Sequence, residues 1–326
     1  MRLLPRWHSR AAAHAPGSEK KRPRHSGSGP CRRLAPCQIM RRGAWCAAGA
    51  ISSPRPTPIS GRRWQTAQND LPATISRAAI VTLQAGTKKF GIPLFGLFGE
   101  YPHYSVRSGA EMTIEDRFNS CMTRSMNGRA LPVSSPEMQA MMAYIKFLST
   151  GVAPGELLPG LGTGKMPELD RPADPSRGKT GYASACEVCH GPNGAGIRRS
   201  LPTTDLGYVM PPLWGGDSFN DGAGMARLIT AANFIHFNMP HCADYLNPQL
   251  SPEQAWDIAA YVISQPRPHK AGLDKDFPDL LEKPVDAPYG LYADGFSEQQ
   301  HKYGPFAPIR AAIAKLKAEQ KGTPTR

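Results

Sequence analysis

Cys186-Glu187-Val188-Cys189-His190, followed at once by Gly191, is the stretch of this 326-residue sequence whose residue types and spacing most plainly carry chemistry. Two cysteines with two residues between them lie one helical turn apart, where their thiols can add across the two vinyl groups of a haem. The adjacent histidine is then held under the iron as its proximal ligand. A structural zinc half-site or a buried cysteine pair would use the same residues. Zinc, however, needs a second pair of ligands, and no other C-x-x-C or H-x3–5-H in suitable surroundings offers one. The spacing therefore predicts a c-type cytochrome carrying haem c, with Cys186, Cys189 and His190 as its attachment and ligation residues.

Such a site needs helices around it, and two helix starts nearly copy each other. One is Ser135-Pro136-Glu137, leading through Met138, Met141 and Met142 to Tyr144 and Ile145; the other is Ser251-Pro252-Glu253, leading through Trp256 and Ile258 to Tyr261 and Val262. In each, serine can cap free N–H groups, proline takes the first helical position, and apolar residues recur at helical spacing. Ser251 with Gln254 also fits a capping box. Gly151 is expected to stop the first helix and Pro266 to limit the second. No convincing alternating strand pattern appears. The expected fold is mostly α: two cytochrome c-like helical domains in tandem, 83–165 and 166–265, then a Pro-rich tail over 266–326. That tail should wrap the domains with little regular structure until a helix near Ile309–Glu319.

The formal charge of +13 suggests a nucleic-acid footprint until it is located. Residues 1–80 hold 15 Lys and Arg against 2 Asp and Glu, which leaves 24 of each (39 less 15, 26 less 2) for residues 81–326. The excess is therefore local, and no nucleic-acid partner is expected. The first 82 residues, rich in Arg, Pro, Ser and Ala, show no amphipathic period and read as disordered. No apolar run of roughly 18 residues occurs, so no membrane span is expected. Haem attachment to C-x-x-C-H takes place outside the cytoplasmic membrane, which implies a periplasmic protein. Yet Pro5, Arg6, His8 and Arg10 interrupt the only candidate for a signal-peptide core.

The repeat also predicts where a first haem motif should lie. Ser251 follows Cys186 by 65 residues, and 65 residues before Ser135 is position 70. The sequence there has no cysteine. Thr74 to Thr82 can nevertheless be encoded so that a frame one base earlier reads Asn-Leu-Ser-Cys-Gly-Asn-Cys-His. A misassigned frame over residues 1–82 accounts at once for the missing motif, the missing export signal and the local charge.

From Leu83 onward the chain resembles the dihaem, tetrathionate-forming thiosulfate dehydrogenase family of bacterial periplasmic cytochromes. The resemblance rests on Ala85-Gly86-Thr87, Phe98-Gly99-Glu100-Tyr101-Pro102 and, above all, Arg117-Phe118-Asn119-Ser120-Cys121-Met122-Thr123-Arg124-Ser125-Met126-Asn127-Gly128. It continues through Pro211-Pro212-Leu213-Trp214-Gly215, Ser218-Phe219-Asn220, Asn238-Met239-Pro240 and Pro288-Tyr289-Gly290. It implies two haems, one attachable to the sequence as written, with thiosulfate and tetrathionate as substrate and product and an acceptor cytochrome c as partner. It also implies Cys121 as distal ligand of the first haem and as the sulfur that meets substrate.

Arg107 and Arg117 could clamp a sulfonate, because a planar guanidinium matches a tetrahedral oxyanion with paired charge-assisted bonds. They could equally serve haem propionates or surface ion pairs. Ser125, four residues beyond Cys121, could donate a hydroxyl hydrogen bond from the same helix face. For the second haem, Met239 is the expected distal ligand, with Met225 and His236 as competitors. Trp214 and Tyr261 are expected to pack on that haem, Lys88 and Lys89 either to guide substrate or to be solvated, and Cys242 to be a free thiol. Two other functions fit the same motif: a plain electron carrier without a substrate site, and a cytochrome subunit of the sulfur-oxidation multienzyme system.

Overall fold

Proline-led, side-chain-capped helices frame both halves of the chain. The structure, a computed structural model, describes residues 83–322 except 157, 202 and 203. The expectations placed on residues 1–82 (disorder, a shifted frame, a hidden haem motif) lie outside the described residues.

The first half opens with a short antiparallel hairpin, β1 (His103–Ser105) against β2 (Ala110–Met112), pairing His103 with Met112 and Ser105 with Ala110. Helix α1 (Ile114–Ser120) follows, started by a capping box in which Thr113 accepts from the Asp116 N–H while the Asp116 carboxylate accepts from Thr113. It runs into a π-helical turn, Cys121–Ser125. Helix α2 (Pro136–Leu148) has Ser135 as its cap and Pro136 at its first position, as the sequence predicts, and Gly151 follows its end with φ +82°. These elements close on a methionine-rich core of Ile114, Met122, Met126, Leu131, Met138, Met142 and Ile145, with Cys121 packed at its edge.

The second half begins with α3 (Pro175–Ala185), capped by the Asp174 side chain, and α4 (Glu187–His190), which holds the C-x-x-C-H histidine. A second hairpin, β3 (Ile197–Leu201) with β4 (Thr204–Met210), precedes α5 (Leu228–Asn238) and α6 (Pro252–Ser264). The expected Ser251–Gln254 capping box is present. Helix α3 crosses α6 at close range: a Cβ on Gly178 would overlap the Asp257 carbonyl, so only glycine fits there. Across the same contact the buried Asp257 carboxylate accepts from Arg171 at 2.9 and 3.0 Å, from Arg177 Nε at 2.9 Å and from the Asp174 N–H at 2.8 Å. Ala231, Ala232, Ala259 and Ala260 let α5 and α6 pack closely, and Trp256 fills the space beside them.

The tail departs from the sequence reading in detail. It carries α7 (Glu298–Tyr303), which was not expected, as well as α8 (Ala307–Gly322), which covers the expected helix. Phe306 and Ile309 are buried in the core of α5 and α6, so the tail completes that core rather than merely covering it. The two hairpins were likewise not expected. The first has strands of three residues, too short for a period of two to stand out, and the second pairs IRRSL with TDLGYVM, neither of which alternates apolar and polar residues.

Candidate functional site

The C-x-x-C-H turn is held from three sides. Helix α3 delivers Cys186 at its C-terminal cap, and the Cys189 and His190 N–H groups return to the Cys186 carbonyl at 3.1 and 2.9 Å. His190 is buried, with Nδ1 2.9 Å from the Pro211 carbonyl. A carbonyl only accepts, so Nδ1 carries the proton and Nε2 is left with a free lone pair, the state an iron ligand requires. Burial, only partly opposed by that hydrogen bond, lowers the affinity of His190 for a second proton. Burial also pushes the Cys186 thiol up to about 12, and Cys189 shifts in the same direction. Both cysteines are free thiols, so the residues present fit covalent haem attachment.

An aromatic cluster stands beside the turn. Tyr182 and Trp214 rings are 5.0 Å apart, and Tyr261 meets them at 5.5 and 5.6 Å. The Tyr182 hydroxyl donates to the Gly191 carbonyl at 2.6 Å. Gly194, at φ +63°, passes under Trp214 so closely that a Cβ would overlap the indole. Met239 caps the end of α5, its N–H bonded to the Ile235 carbonyl at 2.9 Å. Met225 packs against the core around Trp256. His236 has its ring edge-on to Phe237, and its buried Nδ1 has no partner among the described residues.

The second constellation surrounds Cys121. Arg117 lies one turn before it on the same helix face and donates from Nη1 to Sγ at 2.7 Å. The charge of Cys121 raises the Arg117 pKa against the effect of burial, with a further contribution from Tyr101. Burial raises the Tyr101 phenol, which also hydrogen-bonds Arg117 and stacks on His103 at 4.3 Å. The π turn itself is anchored by its neighbours. Asn119 exchanges two hydrogen bonds with the Leu131 backbone, and Thr123 Oγ1 donates to the Asn119 carbonyl at 2.9 Å. A π turn of this kind is uncommon and marks places where a side chain is re-aimed.

Arg117 and Cys121 are thus brought together, while Arg107 stands in a different group. Its guanidinium lies over the Phe277 ring at 5.6 Å, and its carbonyl accepts from the Phe277 N–H at 2.8 Å. Burial, then the repulsion of Arg124, lowers its pKa. Ser125 ends the π turn, and its hydroxyl makes no hydrogen bond among the described residues. Lys88 is not a free surface charge: Nζ donates to the Ala243 carbonyl at 2.9 Å, and Lys89 lies 6.0 Å over the Tyr245 ring. Cys242, expected as a free thiol, is disulfide-bonded.

Sequence reasoning missed Tyr101, Arg124, Asn220, Asp276, Phe277 and Tyr289. Arg124 spans the halves, donating to Gly222 O at 3.0 Å and, through both terminal nitrogens, to the Asp276 carboxylate at 2.7 Å. The only available signal was that Tyr101, Arg124, Asn220 and Tyr289 fall inside stretches that carry the family resemblance. Among the described residues no helix is long and apolar enough to cross a membrane.

Residues 83–153 match the family model described as SoxA/TsdA, cytochrome c domain, and residues 175–266 match that of cytochrome c. A thiosulfate dehydrogenase of Allochromatium vinosum is 42% identical over 185 residues, 57% of this chain and 66% of that protein. One from Psychrobacter arcticus is 41% identical over 194 residues, 60% of this chain and 57% of its own length. The chain therefore spans about three fifths of the length of these relatives. Among solved structures, the thiosulfate dehydrogenase TsdBA of Marichromatium purpuratum aligns with a TM-score of 0.56 at 25% identity, covering 87% of this chain and 59% of that one. A SoxA/TsdA cytochrome c domain thus precedes a cytochrome c domain in this chain, which is similar to thiosulfate dehydrogenases.

Proposed function

We propose that this protein joins two thiosulfates into tetrathionate and passes the electrons to an acceptor cytochrome c in the periplasm. The observation that carries the reading is the Arg117 guanidinium set 2.7 Å from Cys121 Sγ, inside the domain that matches the SoxA/TsdA model. Haem c would be held by Cys186, Cys189, His190 and Met239 in the second domain and by Cys121 in the first, and would supply one-electron acceptance.

The chain's own residues supply the rest. Two thiosulfate dianions lose two electrons as one sulfur–sulfur bond forms, so no atom leaves and the barrier is largely the approach of like charges. Arg117 holds the Cys121 sulfur in place and offers its remaining N–H groups to an incoming sulfonate. Arg107 and Ser125 complete the anion contacts in this reading, and fixed positive charge then lowers the barrier as well as binding substrate. The Cys121 thiolate and the sulfane sulfur of a first thiosulfate would join with loss of the two electrons, and a second thiosulfate would then attack that sulfane sulfur by exchange, breaking its bond to Cys121 and leaving as tetrathionate. We divide the chain into a substrate-bearing unit over 83–165, an electron-exit unit over 166–265 and a tail over 266–326.

The test is thiosulfate-dependent reduction of an added cytochrome c by haem-loaded, full-length protein, with tetrathionate quantified. One tetrathionate for every two thiosulfates and two electrons is expected, with Cys121→Ala inactive. Fully loaded protein that is redox-active but shows no thiosulfate dependence would make it an electron carrier instead.

A further inference from the structure

The tail residues Asp276 and Phe277 touch both arginine groups at once. Asp276, only 8% exposed, receives both terminal nitrogens of Arg124 at 2.7 Å and the Tyr289 hydroxyl at 2.8 Å. Arg124 belongs to the π turn that begins at Cys121. The next tail residue, Phe277, lies under the Arg107 guanidinium and bonds its backbone carbonyl. Phe277 is 3% exposed and adopts φ +60°, a conformation rare for any residue other than glycine. Such strain persists only where surrounding contacts over-determine it.

The other side of the π turn is held as firmly. Asn220 donates from Nδ2 to the Thr123 carbonyl at 2.8 Å and to Asn127 Oδ1 at 3.0 Å, and its N–H bonds the Arg124 carbonyl at 3.2 Å. The turn presenting Cys121 is therefore gripped between the second half's Asn220–Gly222 segment and the tail.

We propose that Asp276 is a positioning residue for Cys121: through Arg124 it locks the π turn, while its neighbour Phe277 seats Arg107, so that one tail dipeptide sets the spacing between the thiol and an anion-binding arginine. The proposal rests on the reading of Cys121 as the substrate-meeting sulfur, but its test does not depend on turnover. Because Arg124 is already matched by Asp276, it is a structural cation and not a substrate contact.

The experiment is peptide-resolved alkylation of Cys121 by iodoacetamide in the full chain carrying a single haem, attached at Cys186 and Cys189, where thioether formation blocks those two thiols. Losing a charge-assisted clamp should raise the population of the opened turn, so Asp276→Asn is expected to speed Cys121 alkylation about tenfold or more. Asp257→Asn serves as the control, because it breaks another buried carboxylate's bonds to arginine, in a cluster bonded to neither Cys121 nor Arg124. It should change the rate by less than about twofold. Should Asp276→Asn fail to fold, Tyr289→Phe removes one hydrogen bond from the same carboxylate and should give a smaller acceleration in the same direction. Equal acceleration by Asp276→Asn and Asp257→Asn, or none with Asp276→Asn or with its Tyr289→Phe replacement, overturns the proposal. Failure of thiosulfate turnover in the unsubstituted protein would bear on the function alone.

Discussion

Replacing Asp257 by asparagine should be among the most costly single changes at the haem-bearing turn without touching haem. The Asp257 carboxylate is 5% exposed and accepts from Arg171, Arg177 and the Asp174 N–H, four bonds in all. These bonds pin the start of α3 to α6, and α3 delivers Cys186. Asparagine keeps one acceptor oxygen but places an N–H2 group against the cationic partners. Breaking a buried pair costs about 3–5 kcal/mol. The Arg171 and Arg177 side chains are 37% and 55% exposed, so water can take up their charge, and the low end of about 3 kcal/mol applies. For a domain of this size that is a fall of about 6–12 °C in Tm. The sign of the pH effect is also set. Burial alone would raise this carboxyl, but its arginine and backbone partners outweigh burial and hold it below its ordinary value of 3.8. Its contribution is therefore present above that value and lost as pH falls through the depressed one. Thermal melts of both proteins between pH 7 and 3 should show a difference that narrows only at the acid end. A difference under about 1 kcal/mol at pH 7, or one that shrinks well above pH 4, would refute the reasoning.

Three further outcomes follow from the same contacts. Arg117→Lys cannot reach both Cys121 and Tyr101, and should lower kcat/KM for thiosulfate by about 10²-fold, read by steady-state turnover. Met239→Leu should lower the potential of the C-x-x-C-H haem by on the order of 0.1 V in a spectroelectrochemical titration, within the ~0.8 V that axial ligands span; an unchanged potential would assign the ligand to Met225 or His236. Gly194→Ala forces a Cβ into Trp214 at φ +63° and should cost about 2–4 kcal/mol in a urea titration.

The helices that carry the site were legible because their signals are local. Ser135-Pro136 and Ser251-Pro252 state a cap and a first turn within two residues, and Ser251 with Gln254 forms the box that the sequence spells. The C-x-x-C-H turn is likewise complete within five residues. What escaped was non-local. Nothing near Asp257 announces Arg171, 86 positions away, and nothing near Arg124 announces Asp276, 152 positions away. Helix α7 was missed because its six residues, EQQHKY, show no apolar period; its buried member, His301, is held by the Val285 carbonyl and the Asp294 carboxylate instead.

The arginines show why this matters for function. In sequence, Arg107, Arg117 and Arg124 are three equivalent charges near one cysteine, and all three could be counted toward two dianionic substrates. The structure separates them by what each already holds. Arg124 has its charge matched by a buried carboxylate at 2.7 Å, and so contributes shape and not field. Arg117 bonds Cys121 and Tyr101, and among the described residues its guanidinium has no carboxylate partner. Arg107 has a ring beneath it and, among the described residues, no carboxylate bonded to it, and burial makes its charge costly. In the proposed function an incoming sulfonate would relieve that cost, so the field favouring substrate would come from Arg107 and Arg117, while Arg124 would set where they stand.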